Sequence, residues 1–221
     1  MAFKGDKKEG TWLLATAENK FKNWLVPMVP KCIETYHLTL TTVIWCAMII
    51  FFSFLARYHI HFMWIVSFAI FGQYITDLLD GEIGRRRNTG LIKWGYYMDH
   101  FLDYLFLCSI LIGYGLMIED HSKYMLFYIL ALFIAFMINS FLSFAATGEF
   151  RISYMGIGPT EIRLVFIIIN TVIILLADKI NIAAALPYVL AGSTFFLFVT
   201  VYKTQKMLWK IDMENKENAE K

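Results

Sequence analysis

Six stretches of the chain run without a single Asp, Glu, Lys or Arg: residues 38–56, 60–76, 104–118, 124–148, 164–177 and 180–202. A helix needs roughly 20 residues to cross the hydrocarbon core of a bilayer. The first, fourth and sixth stretches reach that length outright, and the second, third and fifth reach it when their charged ends belong to the helix. The pattern predicts an all-α, polytopic membrane protein with six transmembrane helices. Its membrane domain spans residues 38–203, and residues 204–221 form a charged tail. At the entry to the first span, "FKNWLVPMVPKCIETYHLT" (residues 21–39), which overlaps the N-terminal segment 1–37, mixes Trp, Phe and Val with Lys. That mixture reads as an amphipathic segment lying at the headgroup interface. The leader is Lys-rich and broken by Pro27 and Pro30, so no cleavable signal peptide is expected.

Composition agrees with the pattern: 58% of residues are hydrophobic and 17% charged, more apolar than a soluble domain of 221 residues requires. The net charge of +2 conceals a strong asymmetry. Six crossings put both termini and the loops near residues 81–94 and 147–163 on one side, with seventeen Lys and Arg, against Arg57, Lys123 and Lys179 on the other. Positive charge favours the cytoplasm, so both termini and the first of those loops are expected there. Cys32, Cys46 and Cys108 have no CxxC spacing and suggest neither a disulfide framework nor a zinc site. There is no internal repeat, no soluble second domain and no expectation of a nucleic-acid partner.

Between the second and third spans lies "DLLDGEIGRRRNTGLIKWGYYMDHFLD", residues 77–103. Asp77 and Asp80 are three apart and Asp99 and Asp103 four apart, so each pair lies on one helix face. Antiparallel packing of the two helices would bring these faces together at the membrane boundary. Four carboxylates there repel one another unless a cation sits among them. Mg²⁺ and similar hard cations take carboxylate oxygens and bridge to phosphates, and two such ions about 4 Å apart clamp phosphoryl chemistry. The plain alternative is a set of solvated acids paired with Arg85, Arg86 and Arg87. Gly81, Gly84 and Gly95 allow a backbone or flat ligand to approach closely, or simply let membrane helices pack.

The register Asp77-x2-Asp80-Gly81-x2-Gly84-Arg85-x9-Gly95-x3-Asp99-x3-Asp103 resembles the signature of the CDP-alcohol phosphotransferases, DxxDGxxARx8-9GxxxDxxxD. The departure is Gly84, where the family usually has Ala. The resemblance implies that Asp77, Asp80 and Asp99 ligate two divalent ions, Mg²⁺ or Mn²⁺, that hold a CDP-linked donor. It implies that Asp103 is the general base, that Gly81, Gly84 and Gly95 shape the cytidine pocket, and that Arg85 steadies the donor phosphates. Substituted phosphate would pass to an acceptor hydroxyl with release of CMP.

The acceptor is open at this point. "DHFLD", with His100 after Asp99, is similar to the branch that moves choline or ethanolamine phosphate onto a diacylglycerol. "TGEFRISYMGIGPTEIR" (147–163) is a weaker likeness of the same kind, and "GPTE" also reads as a helix start. Arg151, Glu161 and Arg163, with His100, are therefore candidates for the acceptor site. In the other branch, Arg151 and Arg163 would bind a phosphate-bearing polar alcohol, such as glycerol phosphate or inositol phosphate, that attacks CDP-diacylglycerol. A homodimer in membrane lipid is expected. An ion-coupled transporter is the distant alternative, because intramembrane carboxylates also mark ion paths.

Overall fold

The computed structural model describes residues 8–9, 14–118, 121–148, 150–151, 158–176 and 182–220. A short helix α1 (Ala15–Leu25) and a 3₁₀ turn (Val26–Met28) precede six long helices. These are α2 (Thr35–Leu55), α3 (Met63–Arg87), α4 (Ile92–Met117), α5 (Lys123–Thr147), α6 (Pro159–Leu176) and α7 (Leu186–Ala219). All six are long and apolar enough to cross a membrane, so the chain is an all-α polytopic membrane protein. A two-residue parallel pairing, β1 (Lys8–Glu9) with β2 (Phe150–Arg151), joins the N-terminal stretch to the α5–α6 connection.

Local chemistry sets the ends of the helices. At the start of α2, the Glu34 side chain accepts the His37 backbone N–H while His37 Nδ1 accepts the Glu34 N–H, a reciprocal cap. Helix α6 opens on Pro159, whose missing donor costs nothing in a first turn. Helix α3 stops at Asn88, with φ of 51°, where the Asn88 N–H bonds Arg85 O and the Thr89 N–H bonds Gly84 O. This left-handed Schellman stop turns the chain within residues 88–91, so α4 starts beside the end of α3.

Helix α2 packs along both α3 and α4, α3 leans on α6, and α5 packs against α4 and α7. Helices α3 and α4 have little close backbone contact with each other, yet their aspartate faces converge as expected. They share α2 as a common support and leave a cleft between them. Lipid tails are as apolar as Leu, so small and polar residues distinguish the inside of a membrane bundle. The buried polar set accordingly includes Thr39, Ser53, Ser67, Gln73, Ser109 and Asn170. Asn170, fully buried, donates to Ser67 Oγ at 3.1 Å and accepts from Tyr114 Oη at 2.7 Å, which ties α3, α4 and α6 together.

Close approach of α2 and α3 depends on Gly72. A Cβ there would lie 2.7 Å from Cη2 of Trp45, whose indole N–H is held by Thr76 Oγ1 at 3.2 Å. Helix propensity favours Ala over Gly by about 1 kcal/mol, but forcing a buried overlap costs about 1–3 kcal/mol. Gly72→Ala is therefore expected to lower the unfolding temperature in detergent. Trp45→Phe in the same chain should restore part of the loss. An unchanged unfolding temperature for Gly72→Ala alone would show that the indole moves freely.

Candidate active site

The cleft between α3 and α4 is lined with carboxylates. Asp77 projects from the second half of α3, and Asp99 and Asp103 project from successive turns of α4. One carboxylate oxygen from each lies within 4.8 Å of the others. Arg163, in the first turns of α6 and only 5% exposed, enters from the third side. Its Nη2 donates to Asp77 Oδ2 and to Asp103 Oδ1, each at 2.9 Å. Its Nε donates to Gln73 Oε1 at 2.8 Å, and the guanidinium carbon sits 5.5 Å from the centroid of Phe106. Gln73 is four residues before Asp77, so one face of α3 presents both partners. Three contacts and an aromatic face orient Arg163, whose fork geometry suits such bridging.

Asp80, the other α3 aspartate, is buried, and its Oδ2 accepts the hydroxyl of Thr39 on α2 at 2.7 Å. The trio is thus Asp77, Asp99 and Asp103, and Asp80 is turned toward the shared support. Gly84 has a packing reason. A Cβ there would lie 3.0 Å from Oγ1 of Thr35, so the family's usual Ala would press on the first residue of α2. A Cβ on Gly81 would meet only the Arg85 guanidinium at 3.5 Å, and Gly95 faces open space. Arg85 is well exposed and pairs with Glu82 at 3.0 Å. Arg86 also bonds Glu82, at 2.8 Å, and Arg87 donates to the carbonyls of Val29, Pro30, Lys31 and Ile33. Arg87, together with Arg86 through a bond to Asn23, therefore holds the N-terminal segment to the end of α3, whereas Arg85 pairs within α3.

Other predicted residues fall at different places. His100 is half-enclosed beside Tyr96 and Phe141, with Nδ1 3.6 Å from Asp99 Oδ2. Glu161 accepts the Leu14 N–H at 3.0 Å and the Gly158 N–H at 2.9 Å, so its carboxylate caps α6 and holds the entry to α1. Arg151 belongs to β2, and its side chain lies outside the described residues. Gln73 and Thr39 were missed in the sequence. Gln73 carried a usable signal, an uncharged polar residue one turn before Asp77 within an apolar run. Thr39 carried none, because Thr is common in membrane helices.

Three carboxylates gather around one guanidinium inside a membrane helix bundle, a setting where ionised groups are costly and mark function. An all-oxygen, all-carboxylate donor set from two helices suits a hard divalent cation such as Mg²⁺ or Mn²⁺. The residues present fit the metal chemistry expected of them.

A family model for CDP-alcohol phosphatidyltransferases matches residues 36–201, three quarters of the chain. No curated protein and no solved structure matches it. The matched range holds α2, α3, α4, α5 and α6, and with them every carboxylate of the cleft. A match of that extent, over the helices that build the acidic cleft, makes this chain a member of the CDP-alcohol phosphatidyltransferase family.

Proposed function

We propose that the cleft transfers a substituted phosphate from a CDP-linked donor to an acceptor hydroxyl, releasing CMP. A membrane transferase of phospholipid synthesis follows from the family; the reaction, the metal and the roles below are the proposal. The observation that carries it is the convergence of Asp77, Asp99 and Asp103 on Arg163 in the register of the family signature. Asp77 of α3 and Asp99 of α4 would hold two divalent ions, with Asp80, one of whose oxygens accepts the Thr39 hydroxyl, as the further ligand that the signature implies. Bound there, the ions would neutralise the donor diphosphate and the charge that develops on departing CMP. Asp103 takes the proton of the acceptor hydroxyl, whose oxygen attacks the β-phosphorus as the bond to the CMP oxygen breaks. Arg163 holds Asp103 and Asp77 at fixed separation, so the base is aimed before substrate arrives. Gly81, Gly84, Gly95 and Arg85 would form the nucleotide side.

For the substrate pair we favour CDP-choline or CDP-ethanolamine with a diacylglycerol. Arg163 is engaged by two carboxylates and Gln73, which suits a neutral acceptor better than a phosphate-bearing one. The competing pair is CDP-diacylglycerol with glycerol phosphate or inositol phosphate, for which Arg151 would supply a cation. The proposal includes a homodimer with its termini and cleft facing the cytoplasm.

CMP release by purified protein from CDP-choline, CDP-ethanolamine and CDP-diacylglycerol, each with candidate acceptors, decides between them. Activity should vanish with a chelator and return with Mg²⁺ or Mn²⁺. Mn²⁺ should give a protein-bound paramagnetic signal that Asp99→Asn weakens. Full activity in excess chelator, or no CMP from any donor, overturns the metal-dependent transferase. The second result would return attention to an ion-coupled transporter.

A further inference from the structure

Helix α7 runs unbroken from Leu186 to Ala219, longer than a span requires. Its residues 186–202 carry no charge and rise about 25 Å, close to the roughly 30 Å of a hydrocarbon core. The next two turns hold three lysines and no acid: Lys203, Lys206 and Lys210. Spaced three and four apart, they form one line along the helix, and all three are exposed.

Side-chain contacts fix the depth of that line. Asn139 Nδ2 of α5 donates to Thr204 Oγ1 at 3.3 Å. Helix α5 is tied to α4 by the ring pairs Tyr96–Phe144, at 5.5 Å, and His100–Phe141, at 5.4 Å. These pairs run in opposite directions along the two helices, so Asn139 stands at about the depth of Asp103. Lys203, Lys206 and Lys210 therefore share the layer of the acidic cleft. Tyr202 and Trp209, 54% and 65% exposed, flank them as amphipathic rings do at a membrane–water boundary. That layer is the headgroup layer.

Charge decides what covers the line. Among the described residues, no carboxylate lies within ion-pair distance of Lys203 or Lys206, and Lys210 has only an exposed contact with Glu214 at 3.5 Å. The neighbouring helix supplies no counter-charge, since residues 124–148 hold none. Beyond Lys210 the sign reverses: Asp212, Glu214, Glu217 and Glu220 outnumber Lys216 and Lys221. Glu214 and Glu217 continue the same line at four and three residues. An anionic surface attracts the first two turns and repels the acidic end, which holds the lysines at phosphate depth. A second copy suits this face poorly. Two copies share one membrane orientation, so a two-fold pair would set like charges against each other at the same depth. A soluble acidic protein would meet the acidic end of α7 first.

We propose that the Lys203, Lys206 and Lys210 face of α7 binds the phosphates of anionic phospholipid headgroups. Helix α7 packs on α5, which stands between it and α4, so this face is separate from the catalytic cleft. The bound lipid is held rather than converted, whatever reaction the cleft performs. Each lysine at such a surface favours an anionic over a neutral lipid about fivefold at low salt.

The test places the full chain in nanodiscs of phosphatidylcholine and phosphatidylglycerol in equal amounts, with matched acyl chains. Lipids retained on the released protein are counted by native mass spectrometry. The wild type is expected to retain phosphatidylglycerol preferentially, and the preference should weaken as salt is added. Lys203→Gln, Lys206→Gln and Lys210→Gln together should lower it about 10-fold or more. The three Lys→Arg replacements should keep it, because the charge remains. Lys216→Gln with Lys221→Gln, beyond the first acids, should leave it unchanged. If the triple Gln variant does not assemble in nanodiscs, Lys203→Gln and Lys206→Gln are measured singly, each with an expected loss of about threefold to fivefold. Wild-type selectivity in the Gln variants overturns the assignment. If their dimer mass also rises, a second copy covers the face instead. Equal loss in the Arg and Gln variants overturns it as well, since charge would then not be what holds the lipid.

Discussion

Asp103→Asn is expected to keep metal and CDP binding while CMP release falls about 10²-fold or more, the usual scale for losing a general base. The amide is near-isosteric and still offers an oxygen to Arg163 Nη2, which donates to Asp103 Oδ1 at 2.9 Å. Asp99→Asn should fail differently, weakening metal and donor binding together because it removes a ligand from the trio. The cleft makes this separation demanding, since Asp103 lies as close to Asp77 as a shared ligand would. The measurement is therefore turnover and CDP affinity at saturating Mg²⁺, with Mn²⁺ affinity read by magnetic resonance. If added Mg²⁺ returns Asp103→Asn to wild-type turnover, Asp103 is only a ligand and the base lies elsewhere, with His100 the next residue to test.

Arg163→Met is expected to be the most destabilising single change in the cleft. Removing one partner of a buried ion pair leaves its acids uncompensated and costs about 3–5 kcal/mol. Here Asp77 and Asp103 both lose their hydrogen bond, and so does Gln73 Oε1. The loss should be greatest in chelator and should shrink as Mg²⁺ is added. A cation that binds only the folded state stabilises it by mass action, and the variant's cleft is more negative by one charge. Arg163→Lys keeps the charge but cannot bridge three partners with a planar fork, so stability should largely return while turnover stays at least about 10-fold low. Thermal unfolding in chelator and in Mg²⁺, with CMP release on the same samples, gives both answers. Equal stability of Arg163→Met and wild type in chelator would show that the acids need no guanidinium.

How much of this was legible can be followed residue by residue. The register of Asp77, Asp80, Asp99 and Asp103 and their two-by-two division between helices are local matters of helix period, visible in the string. Burial of Asp80 against Thr39 was not, because nothing in "LTLTT" distinguishes a threonine facing a carboxylate from one facing lipid. Gly84 read as room for nucleotide, and the structure adds its close approach to Thr35. Arg86 and Arg87 read as plain partners for the aspartates, yet they bond Asn23 and the carbonyls of Val29, Pro30, Lys31 and Ile33. In each case the partner comes from another helix or turn.

The sequence by itself determined that the chain crosses a membrane six times and that its carboxylates stand on two consecutive helices. Hydrocarbon imposes these features on each segment separately: a span must be long, apolar and internally hydrogen-bonded. Only the tertiary structure decided which acids meet. Helices α3 and α4 lean on α2 rather than on each other, and Arg163 arrives from 86 residues beyond Asp77 and 60 beyond Asp103. Helix α1 is bound beside them by Glu18 and Glu161 contacts about 140 residues apart in sequence. Inside lipid the hydrophobic effect does not sort one apolar helix face from another. Small residues such as Gly72 and paired polar groups choose the neighbours, and those pairings exist only once the bundle has formed.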